Sequence, residues 1–132
     1  MSCAAIYTAN TASQSVGVNT AVNLGTIQRR FGCALNAGAT SISISKPGYY
    51  AVTAVVTFTA PAAGVAAMSL QQNGAQVPGA TVADTVTTAT TEQNTMTLVA
   101  IVRSTSGADT LTLVNTGIAF TPSNVAVSVV KL

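Results

Sequence analysis

The side chains able to do chemistry in this chain are few: five lysines and arginines, three carboxylates, two cysteines and three tyrosines, with no histidine. Without an imidazole, neither a Cys–His nor a Ser–His–Asp arrangement can exist, and the usual general base near neutral pH is missing. The carboxylates Asp84, Glu92 and Asp109 lie far apart in the chain. A catalytic acid pair would need Asp84 beside Glu92 or Asp109; solvated loop charges are the plainer reading. Three dispersed acids are also too few for the oxygen cage of a calcium ion. Cys3 and Cys33 lack the partners of an ordinary zinc site. They are either two free thiols of a reducing compartment or a disulfide tying down the N-terminal segment. No glycine-rich phosphate loop follows a strand. The expectation is a protein with no catalytic residue, no metal and no cofactor, and therefore not an enzyme.

What remains is binding. Arg29 and Arg30 form an adjacent cationic pair that would dock an anionic partner or, more plainly, mark a solvated edge. Tyr7, Tyr49 and Tyr50 are the aromatic residues that would stack on a sugar, although Tyr50 lies on an apolar stripe and fits a core or subunit-axis position better. The net charge of +2 is too small and too scattered for nucleic acid.

The elements that carry these residues read as strands. Val, Thr and Ala dominate, and Thr, Gly and Asn runs argue against long helices. The strand Ile42-Ser43-Ile44 alternates cleanly and precedes Lys46-Pro47-Gly48, a strong turn. The longest strand then runs from Tyr49 to Ala60, with Tyr50, Val52, Ala54, Val56 and Phe58 on one face. Asn73-Gly74 is the best hairpin signal, because both positions of a type I′ turn want φ > 0. Pro78-Gly79 reads as a break, and Thr87–Thr91 as a loop. Residues 1–28 read as two short strands broken near Asn10–Ser13, and a turn is expected at Asn36–Gly38. A strand over Asn94–Arg103 is apolar on both faces, with Met96, Leu98, Ala100 and Val102 opposite Val99 and Ile101. A last strand covers Val125–Leu132. Strands at this spacing suit a two-sheet sandwich filling one domain over residues 1–132.

Only 6% of residues are charged against 48% hydrophobic. Soluble monomers carry about a quarter charged residues. Either a Thr/Ser coat keeps the protein soluble, or much of its surface is covered by partners or copies of itself. In a sandwich one face of the Asn94–Arg103 strand meets the core, so Val99 and Ile101 are expected at a subunit contact. No run of 18 apolar residues suggests a membrane span. The N-terminus lacks a basic region followed by an apolar run, and synthesis in a host cytoplasm without a signal peptide is expected.

Ile42 to Gly79 resembles the C1q/TNF-like family, including its bacterial and phage branch. The residues that carry the resemblance are Ile42-Ser43-Ile44-Ser45-Lys46-Pro47-Gly48-Tyr49-Tyr50, the long strand after them, and Leu70-Gln71-Gln72-Asn73-Gly74. The resemblance implies an all-β jelly roll of about ten strands assembling as a homotrimer, with Tyr50, Phe58, Val99 and Ile101 in its core or interface. The chain has no Gly-X-Y stalk, and it looks like the short proteins of phages and prophages. That implies a structural virion component such as a capsid decoration or head-fibre protein, with a phage capsid protein as partner. The alternative is an adhesive head binding a cell-surface glycan or receptor. The segment 1–30, least like the family, is expected to dock the particle with help from Arg29 and Arg30. Deleting residues 1–12 is expected to leave a folded trimer.

Overall fold

The structure is a computed structural model and describes residues 4–132. Ten strands follow one another: β1 (Ala5–Asn10), β2 (Thr26–Phe31), β3 (Leu35–Ala37), β4 (Ile42–Ile44), β5 (Gly48–Thr59), β6 (Gly64–Gln72), β7 (Ala75–Val86), β8 (Asn94–Ser104), β9 (Asp109–Asn115) and β10 (Thr121–Lys131). They form two five-stranded antiparallel sheets, ordered β2-β1-β10-β5-β8 and β3-β4-β9-β6-β7. Long-range pairings such as β10 with β5 and β4 with β9 wrap the chain as a jelly roll.

Period-two alternation explains the core. In β5 the residues Tyr50, Val52, Ala54, Val56 and Phe58 all point inward and are fully buried. Their cross-strand partners in β10 and β8 are aliphatic: Val127 and Leu98 flank Ala54, and Val125 and Met96 flank Val56. The facing sheet contributes Ile42, Ile44, Met68, Leu70, Leu111 and Leu113 to the same cluster. Phe58 meets Phe120 with centroids 5.2 Å apart and planes tilted by 59°, the offset that ring quadrupoles favour. The Tyr50 hydroxyl donates to the Lys46 carbonyl at 2.7 Å, and burial raises its pKa.

Several sequence expectations are corrected. Residues 1–28 are not two short strands parted near Asn10–Ser13: β1 ends at Asn10, β2 begins at Thr26, and between them the chain runs irregularly to residue 25, bridging only at Val16–Phe120 and Ala21–Val114. Its apolar residues Val16, Val22 and Leu24 are buried nonetheless. The buried amide of Asn115 holds this segment, donating to the carbonyls of Val16, Gly17 and Ile118. The expected turn at Asn36–Gly38 falls later, because Asn36 and Ala37 belong to β3 and the closing bond runs from the Gly38 N–H to the Ser41 carbonyl. Pro78-Gly79 does not end a strand. β7 passes through it with a register shift opposite Ser69–Gln71, and Gly79 supplies φ +80°. The deletion expectation also changes. β1 lies between β2 and β10, and its Ile6 is in the core, so removing residues 1–12 would uncover that core. Cys3 lies outside the described residues; Cys33 is an exposed thiol.

Candidate interaction surface

The inward alternation of sheet β2-β1-β10-β5-β8 places a second set of side chains on its outer face. Register reads this face row by row. One row runs Ala5, Val130, Ala51, Ile101; the next Tyr7, Ser128, Thr53, Val99; the third Ala9, Ala126, Val55, Thr97. Small residues occupy the middle strands, so another backbone can approach closely there. Val99 and Ile101 stand at one side, 68% and 62% exposed. Between Arg29 on β2 and Arg103 on β8 this face carries no charge. Arg103 sits over the Tyr49 ring, 5.6 Å from its centroid, which leaves its charge at the rim. The sequence-predicted residues therefore separate: Tyr50 and Phe58 are in the core, while Val99 and Ile101 lie on the open face.

The other side of the face is shaped by β2, whose six residues are all exposed. β2 is an edge strand with a bulge opposite Tyr7–Thr8, where Gln28 is the extra residue. Two open clefts, of about 530 and 310 Å³, adjoin along β1 and share Tyr7 and Arg29. The larger ends in Asn10, Gly25 and Gln28, and the smaller in Phe31 and Val130. Gly25 has φ +82°, and a Cβ there would stand 2.1 Å from the Ala9 carbonyl oxygen. Only glycine allows the two backbones that floor the larger cleft to meet. Asn10, Gln14 and Asn23 fix its rim through side-chain bonds, including Gln14 Nε2 to the Asn23 carbonyl at 2.9 Å.

Arg29 and Arg30 do not act together. Arg29 pairs across from the outward Tyr7, whereas Arg30 lies across from the buried Ile6 and donates through Nε to the Leu35 carbonyl at 2.7 Å. The three acids are equally dispersed. Glu92 accepts from the Thr87 hydroxyl, the Thr87 and Thr88 N–H groups and the Asn94 amide. Those bonds hold its carboxyl at a pKa of about 2, so it organises the 87–91 loop and is no bare charge. Asp109 is buried beside Ser104 and Asn73. Among the described residues no three Asp, Glu, Cys or His side chains gather to hold a metal, and no helix is long and apolar enough to cross a membrane.

No family model matches the sequence, and the curated proteins yield no match either. Solved structures do match over nearly the whole chain. Eiger TNF from S. frugiperda superposes with a TM-score of 0.69 at 14% identity, covering 98% of this chain and 91% of that one. The globular domain of zebrafish complement 1qA gives 0.66 at 9% identity, covering 94% of each. PRD1 vertex protein P5 gives 0.59 at 15% identity, covering 98% of this chain and 96% of its own. The fold is the C1q/TNF-like jelly roll: ten strands in a two-sheet antiparallel sandwich. Within that class, the similarity extends from TNF and complement domains to a vertex protein.

Proposed function

We propose that the chain is a non-enzymatic homotrimer serving as a structural component on the outside of a phage or prophage virion, as capsid decoration or head fibre. The observation that carries this reading is the uncharged outer face of β10, β5 and β8. Interface centres are depleted of charge and packed as tightly as protein interiors. A face of Ala, Ser, Thr and Val rows with Val99 and Ile101 at its side shares that lack of charge, its small side chains allow close approach, and Arg103 is confined to its rim. Val99 and Ile101 make the subunit contact, and Tyr50 and Phe58 support the sheet from behind. The similarity to a vertex protein favours a virion location over other uses of the same fold. Docking to the particle falls to the β1–β2 side, which the trimer contact leaves open.

Light scattering together with co-sedimentation tests this. The intact chain should show threefold the 13.1 kDa chain mass and travel with particles from the same host. A monomer in solution removes the trimer, and a protein that never co-purifies with particles removes the virion role.

A further inference from the structure

We propose that an extended segment of the particle protein pairs along the open edge of β2, placing an apolar residue against Phe31 and an acidic residue two positions on against Arg29; the inference rests on the virion reading above. An edge strand leaves a row of backbone donors and acceptors without strand partners, and such edges template the addition of a strand. β2 ends its sheet and pairs there with β1 alone among the described strands, and all six of its residues are exposed, so its outer edge is open. Side chains at i and i+2 share a face. The outward set here is therefore Phe31, then Arg29, then Thr26 beyond the bulged Gln28.

Each of these positions has a free surface to offer. Phe31 is 65% exposed and adjoins the 310 Å³ cleft with Val130, room for an aliphatic side chain. Arg29 spends Nη1 on its neighbour's carbonyl, Gln28 O, at 2.8 Å, and its other N–H groups remain to meet a carboxylate in a charge-assisted pair. No acid lines either cleft. A second copy of β2 is the wrong occupant. Antiparallel pairing of two such strands brings the arginines of both copies within about one residue of each other, and like charges across strands destabilise pairing. The partner strand is thus acidic where β2 is basic and apolar where β2 carries Phe31.

The test uses the full chain in solution, with no particles present. A fluorescent capped peptide LTETTV, antiparallel to β2, puts Leu opposite Phe31 and Glu opposite Arg29. LTKTTV reverses the charge, and ETLTTV exchanges the two reading positions. We expect LTETTV to bind at least about tenfold more tightly than either control, with amide shifts confined to β2, Tyr7 and Val130. In Arg29→Glu, with unchanged trimer mass, the preference should invert toward LTKTTV. Equal binding of the three peptides, or shifts located elsewhere, overturns the proposal. So does displacement by glucuronate of a probe that ignores peptide charge, which would make the clefts a saccharide site. Particle co-sedimentation that survives Arg29→Glu sinks this docking mode while leaving the virion role standing.

Discussion

Asn73 donates through Nδ2 to Asp109 Oδ1 at 2.6 Å, joining the tip of one hairpin to the first residue of β9. The Thr110 N–H returns a bond to Asn73 Oδ1 at 2.9 Å, and the Asn73 N–H donates to the Thr110 carbonyl at 2.8 Å. The left-handed backbone of Asn73 (φ 54°) and Gly74 (φ 84°) that makes the β6–β7 turn thus also aims the Asn73 amide at a buried carboxylate. One residue sets the turn and fastens it to the neighbouring strand.

Asp109→Ala should therefore lower stability by about 1–3 kcal/mol, the range for a buried acceptor whose donors are left unpaired. Bonds from Ser104 and Asn73 lower the Asp109 pKa in the folded protein. A lowered folded pKa stabilises above the ordinary carboxylate value, and the contribution is lost as pH falls through the folded one. Melting temperatures of the parent should decline below about pH 4, the usual Asp range, and those of Asp109→Asn should decline less. Parallel curves for the two proteins would remove Asp109 as the source.

Glu92 gives a second pH signature, confined to its loop. With its pKa held near 2 against an ordinary 4.5, it stays ionised through a window in which exposed carboxylates protonate. Its contribution to loop order is present above pH 4.5 and lost as pH falls through about 2. The Glu92 carboxyl carbon and the Thr87 and Thr88 amides should titrate together near that lower value. A midpoint at 4 or above, roughly that of a free Glu, would show that the loop bonds do not persist in solution.

The buried strand faces offer paired tests of opposite sign. Phe58→Ala removes a fully buried ring packed on Phe120 and should cost on the order of 3–5 kcal/mol. Thr8 is also fully buried, and its hydroxyl has no hydrogen-bond partner. Thr8→Val keeps the shape and removes the unpaired group, so it should be neutral or stabilise by about 1 kcal/mol. Denaturant unfolding measures both; a destabilised Thr8→Val would mean that the hydroxyl is satisfied in solution, by water for instance.

How much of this was legible depends on the range of the contact involved. The inward faces of β4, β5 and β8 are local patterns, and so are the Asn73-Gly74 turn and the outward Val99 and Ile101. The segment 11–25 carries apolar residues at strand-like spacing, yet it is irregular and is held at its Val16 and Gly17 carbonyls by the Asn115 amide, almost a hundred residues away. No local signal reports such a contact. Pro78-Gly79 reads as a break, but the strand absorbs it as a bulge because its partner strand continues past it. Glu92 looks solitary in the chain, since two of its donors are backbone N–H groups that become visible only once the loop has closed. Arg29 and Arg30 read as a pair, and strand alternation sends them to opposite faces. The clefts beside β2 arise from the Tyr7–Arg29 register and the Gly25–Ala9 backbone contact, neither of which can be read from spacing.

The proposed trimer face allows the last prediction. Ile101 is 62% exposed in the single chain, and its row continues through Ala51 and Val130 without a charge. Because its side chain points away from the core, Ile101→Asp should leave the fold of one chain intact. Within an assembled trimer the same carboxylate would be taken out of water with no cation facing it on that row, which costs several kcal/mol. The variant should therefore elute and scatter as a folded 13.1 kDa monomer at concentrations where the parent is threefold heavier. Thr97→Asp, two strand rows further along β8 at a more polar position, should weaken assembly less. Far-UV circular dichroism separates dissociation from unfolding, since only unfolding removes the β signal. If Ile101→Asp remains a trimer of parental stability, the subunits meet through another surface, and the uncharged face of β10, β5 and β8 needs a different partner.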